Sequence, residues 1–121
     1  MIDGGCFCGA VRYRIDDGDY TVANCHCSMC RRTSGAPFVT WMVVPDTAFH
    51  YVRGEPAVLE SSEKGRRYFC NRCGTPIACI VADHPHNVDV TTGSLDEPEK
   101  YVPALAVHED TKLPWLHRTE A

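Results

Sequence analysis

The chain has 121 residues, 12 basic and 16 acidic side chains, a net charge of −4 and eight cysteines. Its length suits one domain with one core over residues 1–121, and its acidity argues against a general nucleic-acid binder, which would usually be basic. No apolar run reaches the ~18 residues of a membrane-spanning helix, and the start MIDGGCFC has no basic segment followed by an apolar one. The sequence therefore predicts a cytoplasmic protein. In that reducing compartment cysteines read as metal ligands or catalytic groups before they read as disulfides. The alternative is a disulfide-rich secreted domain whose signal has been removed.

In chain order the sequence predicts short strands. VRYRI (11–15) alternates apolar and polar residues, as a half-buried strand does. YTVANC (20–25), FVTWMVV (38–44), FHYV (49–52), AVLES (57–61), RRYFC (66–70), PIACIVA (76–82) and VDVTTG (88–93) are rich in β-branched and aromatic residues. Gly or Pro punctuates the gaps, at Gly18, Gly35, Pro45, Gly54, Gly65, Gly74 and Pro85. The pattern predicts a mainly β fold of packed antiparallel sheets with little helix. FVTWMVV is apolar almost throughout and is expected to be a central strand buried on both faces. Trp41, Phe38 and Tyr68 lie on predicted strands and are expected in the core. The tail, 109–121, is polar and expected to fray, with Trp115 and Leu116 able to dock.

The cysteines fall into groups. CNRCG supplies Cys70 and Cys73, spaced so that both sulfurs can meet one ion at a hairpin tip, with Gly74 free to take a left-handed backbone. A redox pair of the same spacing expects a neighbouring βαβ pattern, which is absent. CFC supplies Cys6 and Cys8, which share one face if the segment is extended, while Phe7 points away. Together these make a closed four-thiolate zinc site, structural because no position is left open. NCHCSMC leaves Cys25, Cys27 and Cys30. Three protein ligands with one open position is the arrangement of catalytic zinc. His26 could be a ligand, but between two cysteines on an extended segment it should face away, as a packed or surface histidine. Cys79, within PIACIV, reads as a small buried hydrophobe. His84-Pro85-His86 reads as an exposed loop.

CFCGAVRY (6–13), NCHCSMCRRTSG (24–35) and FCNRCGTP (69–76), in that order, resemble the glutathione-dependent formaldehyde-activating enzyme family, which also includes centromere protein V. The resemblance is strongest over 6–95, with TTGSLDEP (91–98) similar to the family's turn after its last central strand. It implies a β-tent fold of packed sheets and two zinc ions. It places a structural zinc on Cys6, Cys8, Cys70 and Cys73 and a catalytic zinc on Cys25, Cys27 and Cys30, matching the division from spacing. The implied activity joins glutathione to formaldehyde, and its reverse is a carbon–sulfur lyase reaction. Arg31 and Arg32 are then candidate contacts for a carboxylate of glutathione or a similar small thiol, against the alternative of solvated surface charges. Two other functions compete with the enzyme. One is a non-catalytic zinc module that binds other macromolecules, and the other a redox or zinc sensor that releases metal on oxidation.

Overall fold

The computed structural model describes residues 1–116. The part of the expected fraying tail from 117 onward lies outside the described residues. In chain order the strands are β1 (Ile2–Gly5), β2 (Arg12–Ile15), β3 (Thr21–Cys25), β4 (Val39–Pro45) and β5 (Phe49–Arg53). They continue as β6 (Ala57–Ser62), β7 (Gly65–Phe69), β8 (Pro76–Val81), β9 (Asn87–Thr91) and β10 (Leu105–Val107). A helix, α1 (Ser28–Ser34), follows β3. The strands form a three-stranded sheet, β1-β2-β5, and a seven-stranded sheet, β10-β3-β4-β9-β8-β7-β6. Every pairing is antiparallel except β10 on β3. Among the described residues no helix is long and apolar enough to cross a membrane.

All eight expected strands form, within a residue or two of their predicted ends. VDVTTG is cut shorter, because Thr92–Ser94 turn into a 3-10 helix. Three elements escaped the sequence reading. β1 is IDGG, with two glycines that carry no strand preference. β10 has three residues, too few to show alternation. α1 has seven, too few for a helical period to emerge. It stands where a short turn was expected. Cys27 caps its N-terminus, and Gly35 ends it in the left-handed region at φ 71° with its N–H on the Arg31 carbonyl, 2.8 Å.

The period-two alternation of strands gives the seven-stranded sheet two different faces. Val22, Met42, Val44, Ala78 and Val90 turn toward the three-stranded sheet and close on Ile2, Tyr13 and Ile15 in the main core. Each such fully buried aliphatic contributes about 1.5–3 kcal/mol. The Tyr13 hydroxyl, buried with its ring, meets Ser94 Oγ at 2.6 Å, and Gly4 bridges to Leu95 beside it. The other face presents Cys25, Trp41 and Cys79, and α1 adds Cys30 to them. β4 is central as expected, between β3 and β9. Its Trp41 belongs to one cluster and its Met42 and Val44 to the other.

The second face also carries a row set by register: Arg67 opposite Cys79, Cys79 opposite Asp89, Asp89 opposite Val43. Burial, and then the negative Cys30 nearby, push the Asp89 carboxyl up to about 6. The folded state thus holds this proton more tightly than the unfolded chain. Its ionisation destabilises the fold as pH rises from about 4 toward 6, and the loss is complete above that range. Asp89→Asn is expected to raise stability at pH 8 by about 1–2 kcal/mol and leave it nearly unchanged at pH 4, read from denaturant midpoints at both pH values.

Candidate metal centres

All eight cysteines are free, and seven of them converge in two clusters whose sulfurs lie within 4.8 Å of one another. The first cluster is Cys6, Cys8, Cys70 and Cys73. Cys70 and Cys73 sit at the tip of the β7–β8 hairpin, as the spacing predicts. Gly74 there takes φ 83°, and its N–H closes the turn on the Cys70 carbonyl at 2.8 Å. Cys6 and Cys8 depart from the expectation of an extended strand. β1 stops at Gly5, and the pair occupies the turn into β2, closed by Gly9 N–H on the Cys6 carbonyl. A turn serves the same purpose, since both sulfurs still point one way while Phe7 stands 94% exposed. Cys6 Sγ lies 3.6 Å from Cys8 Sγ, and Cys8 Sγ 3.8 Å from Cys70 Sγ. Four sulfurs bound tetrahedrally at ~2.3 Å are ~3.8 Å apart, so the donor set fits such an ion, whereas a disulfide would need ~2.05 Å.

Thr75 and two backbone groups brace this centre. Val11 N–H donates to Cys6 Sγ at 3.2 Å, and Phe7 N–H donates to Thr75 Oγ1 at 3.1 Å. Thr75 Oγ1 lies 3.2 Å from Cys73 Sγ, and that contact is the first cause holding the Cys73 thiol down at about 5. Bonds of this kind orient ligands and favour their charged form.

The second cluster is Cys25, Cys27 and Cys30. β3 ends on Cys25, Cys27 is the extended residue before α1, and Cys30 sits one turn into the helix, 4% exposed. Its Sγ lies 3.4 Å from that of Cys25, and its N–H donates to Cys27 Sγ at 3.2 Å. The Cys27 sulfur thus occupies the position of a helix-capping oxygen. Arg67 Nη2 donates to Cys30 Sγ at 3.7 Å, and the guanidinium lies over the Trp41 ring, 6.0 Å from its centre. The Cys30 thiol is pushed down to about 5, first by its bond with Cys25, then by Cys27 and Arg67, against burial. No fourth ligand atom joins this cluster among the described residues.

A cleft of about 610 Å³ lies beside both centres, between the end of α1, the start of β4 and the β7–β8 hairpin. Arg67, Trp41, Phe38 and Tyr68 line it. Trp41 is buried, as expected of a core residue, yet with Phe38 and Tyr68 it also forms a wall, which the core reading of the three did not foresee. Arg31 and Arg32 line a separate, shallower depression with Pro37 and Leu113. Arg67 went unnoticed in the sequence. Its signal was alternation, since it faces the partner strand at Cys79 and so shares the site's face. His26 is buried against the Phe38 ring at 5.1 Å, outside the converging ligands, in keeping with a packed histidine. Cys79 is buried, as expected, and packs with Cys25, Cys30 and Trp41. His84 and His86 are exposed, with His86 Nδ1 facing Asp46 at 3.5 Å.

The sequence profile of the glutathione-dependent formaldehyde-activating enzymes matches residues 1–111. The chain belongs to that family. A Halomonas elongata protein carrying the family's name is 32% identical over 104 residues, 79% of this chain and 66% of the relative. The chain thus spans just under two thirds of that relative's length. A crystal structure of a Rhodobacter sphaeroides protein shares the fold, with a TM-score of 0.71 at 21% identity over 87% of this chain and 99% of that one. Gly74, directly after Cys73, holds a left-handed backbone. A Cβ at Gly74 would meet nothing within 4 Å, so only the backbone resists it. Gly74→Ala is expected to cost about 1–2 kcal/mol, read as a lower denaturant midpoint at unchanged m, with metal content retained.

Proposed function

We propose that this family member is a zinc-dependent enzyme of the carbon–sulfur lyase type, acting on a small thiol adduct as in glutathione-dependent formaldehyde activation. The observation that supports it is the unequal pair of clusters: four sulfurs converge in one, and only three in the other, beside a cleft. A closed four-thiolate centre is structural, whereas three protein ligands leave a position for substrate. We assign Cys6, Cys8, Cys70 and Cys73 to the structural zinc and Cys25, Cys27 and Cys30 to the catalytic one. Eight free thiols suit a reducing compartment, and we place the protein in the cytoplasm.

When bound at the three-cysteine centre, zinc supplies a site that holds an entering thiol as the thiolate and positions it. In the net reaction the thiol adds across formaldehyde. The carbon–sulfur bond forms, the carbonyl π bond breaks, and the thiol proton ends on the new hydroxyl. The lyase direction is the reverse. The chain's own residues set the conditions. Three thiolates and one divalent ion leave a net charge of −1, which the Arg67 guanidinium offsets through Cys30. Trp41 and Cys79 pack against the ligands and keep water from that side. A centre built from thiolates favours a soft thiol over water as its fourth partner.

Cys27→Ser is the discriminating variant, because a serine oxygen can keep capping α1 while a thiolate ligand is lost. It is expected to keep its fold by circular dichroism and to lose turnover of thiol plus formaldehyde by at least about 100-fold; unchanged turnover would refute the enzyme reading. Zinc per chain, measured before and after mild chelation, is expected to fall from two to one, with glutathione slowing the loss. Zinc released by dilute peroxide, with no turnover of any adduct, would instead favour a sensor.

A further inference from the structure

The reading above leaves the thiol unnamed, and the chemistry of the cleft narrows it. Four aromatic rings line the cavity: Phe38, Trp41, Tyr68 and Phe69. Leu59 and Pro76 add to the apolar wall. Among the lining residues Arg67 alone is charged, and no acid is present. Seven hydroxyls also line the cleft, the phenol of Tyr68 and the aliphatic hydroxyls of Thr33, Ser34, Thr40, Thr75, Thr91 and Ser94. Each aliphatic one already has a partner within the fold. Thr33 donates to the Met29 carbonyl at 2.7 Å, Ser34 to that of Cys30 at 2.7 Å, and Thr40 to Asn24 Oδ1 at 2.6 Å. Thr91 donates to the Pro76 carbonyl at 2.8 Å, and Ser94 to that of Thr91 at 2.8 Å. Thr75 accepts from Phe7 N–H at 3.1 Å and lies 3.2 Å from Cys73 Sγ. Arg67 is different. It spends one donor on Cys30, and its buried Nε has no partner. A guanidinium has five N–H donors in a planar fork suited to a carboxylate.

Glutathione fits such a cavity poorly. It carries two carboxylates, an ammonium and two amides. The cleft offers one cation, no acid for the ammonium, and, Tyr68 apart, hydroxyls whose donors are largely spent within the fold and so are not free for a second carboxylate. Each polar group desolvated without a partner costs about 1–3 kcal/mol. The complementary ligand carries one anion and an apolar body. The position of Arg67 fixes where the anion sits, because this residue both lines the cleft and bonds Cys30. Trp41 likewise lines the cleft and packs against Cys25 and Cys30. The carboxylate therefore lies at the metal end, close to the reacting sulfur, and the body extends along the rings.

Resting on the open-site reading, we propose that the cleft selects mercapto acids with an apolar, ring-sized body, thiol and carboxylate on neighbouring carbons, with Arg67 as the carboxylate contact. A volume of about 610 Å³ accommodates a ligand of this size. The formaldehyde adduct forms as before, by addition of the S–H across the carbonyl. The carboxylate takes no part in the bond change.

The test is calorimetric titration of the zinc-loaded protein with 2-mercapto-3-phenylpropanoate, 2-mercaptoacetate and glutathione. The phenyl probe is expected to bind at least about 10-fold more tightly than either of the others, as a buried ring would give. Arg67→Met, with its zinc content verified, should weaken both mercapto acids by clearly more than it weakens benzyl mercaptan, which has no carboxylate to lose. Leu59→Glu changes a residue 48% exposed on an edge strand and directly opposite Arg67, so the new carboxylate should compete for the guanidinium and weaken both mercapto acids more than benzyl mercaptan. Binding of mercaptoacetate and glutathione with no preference for the phenyl probe would overturn the cleft assignment and leave the open site standing. No binding by any of the three would overturn both.

Discussion

Four cysteine sulfurs drawn to one point set the geometry of the rest. Cys6 and Cys8 leave the turn between the first two strands of the small sheet, and Cys70 and Cys73 leave a hairpin of the large sheet. Their convergence fastens the two sheets at one end. Cys8 and Cys70 are 62 residues apart, so the contact closes a long loop of chain. Closing such a loop costs entropy that grows only slowly with its length. A metal bound by four thiolates supplies folding free energy well beyond that cost. The main core then fills the space behind the clamp. Cys6 and Cys70 are part of it, packed with Tyr13, Ile77 and Leu95. Cys6 and Cys70 are therefore core residues as well as candidate donors, and burial holds their sulfurs in place, while Cys8 stays exposed.

With the sheets held at that end, strand alternation decides what else is possible. Met42 and its neighbours must face the small sheet, so Trp41 must face the other way, and Cys25 follows by register through Ala23. A shift of one residue in β4 would carry Trp41 into the core and Met42 into the site. α1 can pack where it does because Cys25, the last residue of β3, and Cys30, in its first turns, meet at 3.4 Å. The same bond of sequence to space keeps the cleft open. β9 stops at Thr91 and the chain turns away through Thr92–Ser94, which leaves a gap between β4 and the β7–β8 hairpin. The cavity is thus a consequence of one strand being shorter than its neighbours.

Much of this was legible in the sequence, for reasons that also explain what was not. The strands found were bounded by Gly or Pro and most were rich in β-branched or aromatic residues, whereas IDGG and LAV offered too little pattern to read. The two cysteine clusters were legible because cysteine spacing is a local property. The pairing of Cys6 and Cys8 with Cys70 and Cys73 also follows from counting ligands, although the local conformation of CFC does not. A turn and a strand can both aim sulfurs at one point, and spacing alone does not separate them. Long-range neighbours were invisible. Nothing near Arg67 in RRYFC says that it lies across from Cys79 and beneath Cys30. Nothing around Phe38, just before β4, and Tyr68, on β7, says that these two strands flank a gap. These facts depend on register across four strands, which a sequence specifies only collectively.

Charge separates the two centres as clearly as ligand number does. A divalent ion with four thiolates would carry −2, which neutral groups would absorb here: Val11 N–H on Cys6, Thr75 beside Cys73, and solvent at the exposed Cys8. No cation bonds those sulfurs among the described contacts. The three-cysteine centre is more buried. It lies beside Asp89, whose own ionisation is already resisted by burial and by the negative Cys30. In low dielectric an uncompensated −1 there would be expensive. Arg67 meets that need from above the Trp41 ring. The guanidinium is therefore tied to the charge of the ligands. On the reading proposed above, an anionic substrate would share it with Cys30 and so make its carboxylate contact where its sulfur would react. Charge balance at a bound metal and recognition in the cleft would then be two uses of one side chain, with the polarity of the ligand set by what Arg67 has left to give.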